Sequence, residues 1–182
     1  MKKTIRKDVY FEEPGEHNTQ EVLKTVFERI EETGIRTVLV ASTTGKTGLT
    51  FAKAMEGKAK LITISYEKVS DDIKKNVREL GAIMLDNQPL PLEKKETLEL
   101  KNALYAFGQG MKVCVEDAMI AVEAGVVEPY QDVISVAGTD KGADTAIIVR
   151  TTKLEERMSP DFNKRLEIRE IICMPMAKKW WE

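Results

Sequence analysis

A strand, a small-residue loop and a helix follow one another without interruption in the first third of this chain. The strand is the apolar run 37–41, and the helix is an amphipathic stretch that ends at Met55. The loop between them comprises Ser42, Thr43, Thr44, Gly45, Lys46, Thr47 and Gly48. Because such a loop presents backbone N–H groups and hydroxyls at the positive end of a helix dipole, the pattern predicts a site for a phosphorylated small molecule.

Strand and helix signals alternate on both sides of that loop. The predicted elements are a helix at 19–33, a strand at 61–64, a helix at 71–80, a strand at 82–85 and a long helical region from 93 to about 124. Such alternation is typical of a mostly parallel sheet that is covered by helices on both faces. We therefore predict an α/β fold, a three-layer α/β/α sandwich, in a single domain over residues 1–182.

The C-terminal third predicts an antiparallel strand. A strand at 132–137 and an apolar run at 145–149 are separated only by a short loop of Gly138, Thr139, Asp140, Lys141, Gly142, Ala143 and Asp144. So short a link favours an antiparallel return over a helical crossover. The loop is either a plain hairpin connection or part of a binding site. Ligands of open α/β sheets bind outside the carboxyl ends of the strands, where this loop and the 42–48 loop would both open.

The segment Gly108, Gln109 and Gly110 interrupts the long helical region with two glycines. The interruption has two interpretations that the sequence leaves open. It is either a simple break, since glycine weakens a helix by about 1 kcal/mol, or the start of a second helix whose free N–H groups lie near the ligand. On the second interpretation these three residues belong to the binding site.

Several classes of site are excluded by composition and motif. The formal net charge is −2, with basic residues spread evenly, which indicates no nucleic-acid partner. Two distant cysteines and one histidine argue against a metal site. A nucleotide-hydrolysing P-loop would need glycine where Val40 stands. Glu116, Asp117 and Glu123 have no partner that the sequence identifies, so no catalytic constellation is predicted.

No apolar segment approaches the roughly 20 residues that a membrane span requires, and the first residues lack the apolar core of a signal peptide. We therefore expect a cytoplasmic protein without a membrane partner. The last apolar run, 167–174, is predicted to be an edge strand. An open edge near the bulky Trp180 and Trp181 predicts a homo-oligomer contact over 168–174.

The order of these elements resembles the C-terminal domain of pyruvate kinase. Region 38–64 is similar to its opening strand, phosphate loop, helix and second strand, where the matching loop holds a sugar-phosphate effector. Segments 113–124, 132–138 and 145–150 are similar to its long helix, fourth strand and antiparallel fifth strand.

Small stand-alone proteins of this fold, which lack a kinase catalytic barrel, are more similar still. The resemblance is carried by Tyr10-Phe11, Pro14-Gly15, Asn18-Thr19, Ala41-Ser42 with Gly45, Phe107 to Gly110, Lys112 to Glu116, Gly142 to Ala146 and Glu170 to Pro175. It implies the pyruvate kinase C-terminal fold, no kinase activity and flavin mononucleotide (FMN) as the ligand. The loop Ser65 to Lys68 departs from the pattern of those proteins.

Two classes of function follow from this resemblance. The first is a binding protein that holds FMN, or a related sugar-phosphate effector as a regulatory module, and relays its state to a partner. The second is a flavin-dependent oxidoreductase that binds the phosphate of FMN through the same loops. The first is favoured, because no proton donor or redox cysteine can be named beside the two loops.

Overall fold

The computed structural model describes residues 3–179. The strands are β1 (Val9–Phe11), β2 (Thr37–Ala41), β3 (Lys60–Ile64), β4 (Ile83–Leu85), β5 (Asp132–Ala137), β6 (Thr145–Arg150) and β7 (Glu167–Pro175). The helices are α1 (Thr19–Thr33), α2 (Lys46–Met55), α3 (Asp71–Glu79), α4 (Leu98–Tyr105) and α5 (Gln109–Glu123). Strands β2 and β5 have the bounds that the sequence predicts, and α1 has those of the predicted first helix.

The strands form one seven-stranded sheet in the order β1-β7-β6-β5-β2-β3-β4. Strands β5, β2, β3 and β4 run parallel, and β2 lies between β3 and β5, with Val38 paired to both Leu61 and Ile134. Strand β6 is antiparallel to β5 and to β7, as the short loop after β5 predicts. The predicted mostly parallel sheet with an antiparallel C-terminal strand is confirmed.

Helices cover both faces of the sheet. Alternate residues of β2 serve opposite faces, since Val38 and Val40 join the cluster with α1, α2 and α3, whereas Leu39 joins the cluster with α4 and α5. Phe51 of α2 and Met119 of α5 are fully buried on the two sides. The three-layer sandwich is therefore built by the period of two in the central strands.

The C-terminal strand is not the edge that the sequence predicts. Strand β1 pairs in parallel with the end of β7, with Val9 opposite Cys173 and Phe11 opposite Pro175. The edge prediction is thus wrong for the end of β7, whereas the three residue pairs with β1 do not reach residues 167–172. A three-residue strand at the other end of the chain carries too little pattern to be recognised in the sequence. Trp180 and Trp181, the aromatic part of the predicted oligomer contact, lie outside the described residues.

The long helical region begins later than predicted. Pro91–Glu93 and Lys95–Thr97 are short 3-10 turns, and α4 begins only at Leu98. The Thr97 hydroxyl donates to the carbonyls of Pro91, at 2.8 Å, and Lys94, at 2.9 Å, which closes these turns instead of extending α4 backwards. Across residues 3–179, no helix has both the length and the apolar character needed to cross a membrane.

Helix α5 begins immediately after Gly108 and comes very close to β6. Gly108 has φ +96°, which favours glycine. A Cβ atom at Gly110 would lie 2.2 Å from Thr145 Oγ1 and 2.6 Å from Thr145 Cβ. The two glycines therefore serve different purposes: Gly108 turns the chain, and Gly110 lets the helix approach the sheet.

We predict that Gly110→Ala destabilises the protein by about 2 kcal/mol. The added methyl overpacks the contact with β6, and this cost exceeds the gain of about 1 kcal/mol in helix propensity. Urea unfolding followed by circular dichroism measures the change. The control is Asn102→Ala at an exposed position of α4, where the same propensity should stabilise by a few tenths of a kcal/mol. A change of the same sign in both variants would contradict the steric argument.

Candidate functional site

The two predicted loops meet at one open cavity of about 1190 Å³. The 42–48 loop contributes Ser42, Thr43, Thr44, Lys46 and Thr47 to the cavity wall. The 138–144 loop contributes Gly138, Asp140, Lys141 and Gly142, and Gln109 lines the cavity from α5. The cavity lies at the carboxyl ends of β2, β3 and β5, where ligands of open α/β sheets bind.

Ser42 organises the first loop. Its N–H donates to the carbonyl of Ile64 at 2.8 Å, and its Oγ accepts from the N–H of Gly48 at 2.9 Å. The first backbone bond of α2 runs from Leu49 N–H to the carbonyl of Gly45, at 2.9 Å. The N–H groups of Lys46 and Thr47 precede that bond, so they have no acceptor within the helix and remain available to a ligand.

Gly45 and Gly48 shape this loop and do not line the cavity. Gly45 has φ +81°, and a Cβ there would lie 2.5 Å from Ile73 Cγ2. A Cβ at Gly48 would lie 2.5 Å from Thr63 Cγ2. The two glycines therefore pack α2 against the neighbouring helix and strand, and their part in binding is indirect.

Asp144 anchors the second loop from inside the protein. Its side chain is fully buried, and its Oδ2 accepts from the N–H groups of Gly15, at 3.1 Å, and Thr139, at 2.9 Å. Its Oδ1 accepts from the hydroxyl of Thr145 at 2.8 Å. The next residue back, Ala143, donates its N–H to Thr19 Oγ1 at 3.0 Å. Thr139, Ala143 and Asp144 thus hold the loop against the start of α1 and do not line the cavity.

The interruption before α5 contributes one side chain to the site. Of Gly108, Gln109 and Gly110, only Gln109 lines the cavity. Its Oε1 is buried and has no hydrogen-bond partner among residues 3–179. Its N–H is already used, since it donates to the carbonyl of Lys179 at 2.9 Å.

One face of α5 lines the cavity, and Gln109 is the residue of this face that the sequence predicts. The residues on this face are Gln109, Lys112, Val113, Glu116, Asp117 and Ile120. Their spacing of three and four is that of a single helix stripe. The Lys112–Glu116 spacing is the one signal that could have revealed a pair within it.

Lys112 and Glu116 form a buried ion pair. Lys112 Nζ lies 2.7 Å from Glu116 Oε2 and 3.1 Å from Glu93 Oε1. Glu116 Oε1 also accepts from the N–H of Leu92 at 2.9 Å, and Glu93 pairs with Lys101. Burial alone would lower the pKa of Lys112, but its bonds to Glu116 and Glu93 outweigh burial and raise that pKa. The lysine is therefore held as a cation between two carboxylates.

Asp117 is different from its neighbours because it is buried without a cation of its own. The residue is 4% exposed, and its Oδ2 has no hydrogen-bond partner in the part of the chain that the structure describes. Burial raises the pKa of this carboxyl well above its ordinary value, and the adjacent Glu116 carboxylate raises it further. The surroundings therefore favour the neutral, protonated carboxylic acid.

The charges of the cavity wall are divided between its two ends. Lys46 and Lys141, on the two loops, make no ion pair among residues 3–179. Lys101 and Lys112, at the other end, are both paired to carboxylates. The loop end of the cavity thus has two lysines outside the ion pairs of residues 3–179, and Glu16 and Asp140 line the cavity beside them. The lysines at the α5 end are both held by carboxylates.

A smaller depression of about 510 Å³ lies near the start of β7, away from both loops. It includes Arg157, Arg165 and Arg169. Arg165 and Arg169 pair with Glu167, and Arg157 donates to the carbonyls of Leu154 and Glu96. These arginines are already occupied, so the larger cavity is the better candidate for a ligand site.

A family model described as the pyruvate kinase α/β domain matches residues 20–149 of the 182-residue chain. The matched region begins in α1 and ends in β6, so it contains both loops and the cavity face of α5. The match includes almost all residues of the five neighbouring strands β6, β5, β2, β3 and β4.

We predict that Asp144→Ala destabilises the protein by about 3 kcal/mol or more. Two buried donors and the partly buried N–H of Gly15 lose their acceptor, and each unsatisfied buried donor costs about 1–3 kcal/mol. Chemical unfolding measures the change in free energy. The control is Lys141→Ala in the same loop, whose exposed side chain should alter stability by no more than about 0.5 kcal/mol. Equal unfolding midpoints for the two variants would rule out the anchoring role.

Proposed function

We propose that this chain, which belongs to the pyruvate kinase α/β domain family, binds a phosphorylated small molecule, flavin mononucleotide, in the cavity between its two loops. The observation that carries the proposal is the convergence of free donors at one end of that cavity. In this proposal the chain acts as a stand-alone binding protein, and a partner protein responds to whether the ligand is bound.

The loop end of the cavity has the donors that a phosphate requires. The N–H groups of Lys46 and Thr47 have no acceptor within α2, and Thr43, Thr44 and Thr47 line the same cavity. Lys46 and Lys141 also line it, from the two loops, and neither makes an ion pair with Glu16 or Asp140, which lie on the same wall. A dianionic phosphate is the natural acceptor for donors at a helix N-terminus and for nearby lysines.

The remainder of the cavity has room for more than a phosphate. Its volume of about 1190 Å³ is slightly above the range of about 300–1000 Å³ that is usual for small-molecule sites. Tyr66, which follows β3, is 49% exposed and lines the cavity. It belongs to the loop that departs from the related stand-alone proteins, and its ring offers an aromatic face to a flat heterocycle.

A flavin-dependent oxidoreductase is a second candidate, and Asp117 is the observation that favours it. A buried, protonatable carboxyl beside the cavity is the proton donor that the sequence alone does not reveal. Bound FMN would supply hydride and electron transfer, while the loops would hold its phosphate. The two cysteines add no redox group to the cavity wall, since both are buried and burial raises the pKa of each thiol.

We predict that Lys46→Ala and Lys141→Ala each weaken FMN binding about fivefold to tenfold. Each removes one charge-assisted contact from a partly exposed phosphate, and such contacts contribute about 1–1.5 kcal/mol. Titration calorimetry measures the affinity. The matched control is Lys53→Ala, whose exposed side chain lies on α2 but not on the cavity wall.

Riboflavin, which has the ring but no phosphate, separates the two halves of the site. Its affinity should be lower than that of FMN and should not change in the Lys46→Ala and Lys141→Ala variants. Equal affinity of wild-type protein for FMN and riboflavin would show that the loops do not bind phosphate, and the proposal would fail.

The oxidoreductase candidate has its own test. A protein that only binds should be stabilised by FMN by about 2.7 kcal/mol at a hundredfold excess over Kd. It should not accelerate oxidation of NADH or NADPH by a common electron acceptor. Saturable nicotinamide oxidation by the FMN-loaded protein, followed by absorbance, would instead favour the enzyme.

A further inference from the structure

We infer that Asp117 forms a second recognition point of this cavity, which accepts only a ligand whose far end is uncharged and carries a hydrogen-bond acceptor. The inference rests on the proposed function, because it takes the phosphate to lie on the two loops. It restricts the ligand to a monophosphate that bears a neutral heterocycle or carbonyl group, and it excludes bisphosphates.

The position of Asp117 separates it from the phosphate end. Helix α5 begins beside the 138–144 loop, where a Cβ at Gly110 would lie 3.1 Å from Asp144 Oδ1. Asp117 follows seven residues later, about 10 Å along the helix axis at 1.5 Å per residue. It lies on the cavity face of α5, next to Glu116 and one turn beyond Lys112 and Val113. A ligand that reaches both points must therefore extend along the helix.

The unpartnered oxygen of Asp117 indicates a missing partner. Buried polar atoms in proteins are almost always hydrogen-bonded, and an unsatisfied one is costly. Asp117 Oδ2 is buried with no acceptor or donor within reach among residues 3–179, although the residue lines an open cavity. Because Oδ2 itself has almost no accessible surface, a rotation of the Asp117 carboxyl group would present it to a ligand group at that end of the cavity. A neutral carboxylic acid donates one hydrogen bond, so the complementary ligand atom is a carbonyl oxygen or a ring nitrogen.

The charges around Asp117 oppose a second phosphate. The titratable groups that line the cavity from α4, α5 and the turn before α4, together with Asp117, are Lys112, Glu116, Glu93, Lys101 and Tyr105. The two lysines among them are already bound by Glu116 and Glu93. A phosphate placed here would have to displace a carboxylate from a buried ion pair, which leaves that carboxylate uncompensated. The loop end, with Lys46 and Lys141 unpaired, has no such conflict.

Two substitutions of Asp117 separate a hydrogen-bond donor from a structural role. Asp117→Asn keeps a donor of the same shape, so FMN affinity should stay within about threefold of wild type. Asp117→Leu removes the donor, and FMN affinity should fall about tenfold or more. Titration calorimetry on the full chain measures both, with Asp72→Asn at an exposed position of α3 as the control. Equal FMN affinity in wild type and the Leu variant, or an equal loss in the Asn and Leu variants, overturns the inference.

The pH dependence gives a signature that packing alone does not produce. Above about pH 7 the phosphate is already dianionic. Loss of the Asp117 proton replaces its donor with an anion, whereas Asp117→Asn keeps its donor at every pH. The ratio of wild-type affinity to Asp117→Asn affinity for FMN should therefore fall as the pH is raised. Parallel pH profiles for the two proteins overturn the inference.

Ligand choice gives the last measurement. A hexose bisphosphate should bind more weakly than FMN to the wild-type protein, and tighter binding of the bisphosphate overturns the inference. If Lys46→Ala weakens FMN binding and no Asp117 variant weakens it, the inference about Asp117 fails but the proposed function stands. If neither FMN nor a sugar phosphate binds, the proposed function and this inference both fail.

Discussion

The close approach of α5 to β6 at Gly110 is the contact on which the site depends. At Gly110 there is room only for a hydrogen atom between the helix and Thr145. The contact between Gly110 and Thr145 also places Asp144, the residue before Thr145, beside the start of the helix. The position of α5 sets where its polar stripe lies, and Asp144 sets where the 138–144 loop lies. One short contact between a glycine and a threonine thus places two of the walls that face the ligand.

The polar stripe of α5 also explains why the two ends of the cavity differ in the pairing of their charged side chains. Lys112 lies between two carboxylates, whereas the lysines of the two loops have none. A helix that carried only apolar residues on this face would leave a pocket with one charged end and one neutral end. Here the lysines of the second end are already paired, and Asp117 has an oxygen without a hydrogen-bond partner among residues 3–179. In the proposed function, affinity for the phosphate and discrimination between ligands would therefore belong to different elements of the fold.

Local patterns in the sequence were sufficient for most of the sandwich. Strand β2, the 42–48 loop and α2 follow one another directly, so their apolar period and their glycines define them without knowledge of distant contacts. Strand β1 could not be predicted in this way. It has three residues, and it is a strand only because the end of β7 provides its hydrogen bonds.

The candidate site likewise has parts that local sequence patterns predict and parts that depend on contacts between distant segments. The sequence predicts the two loops because small residues follow a strand in each case, but five of their fourteen residues are structural and do not line the cavity. Asp144 is an example, since its buried donors come from Gly15 and Thr139 as well as from its neighbour. The part played by Lys112, Glu93 and Lys101 could not be predicted, because it depends on where three separate segments pack.

The bond between Gly15 and Asp144 joins residues that are 129 positions apart in the chain. Contacts of such long range form late in folding, because the chain between them must first be ordered. The 138–144 wall of the cavity is therefore completed only when the first and last parts of the domain have come together. A partly folded chain lacks this wall, so a ligand bound there would stabilise the finished domain without protecting the intermediates that precede it.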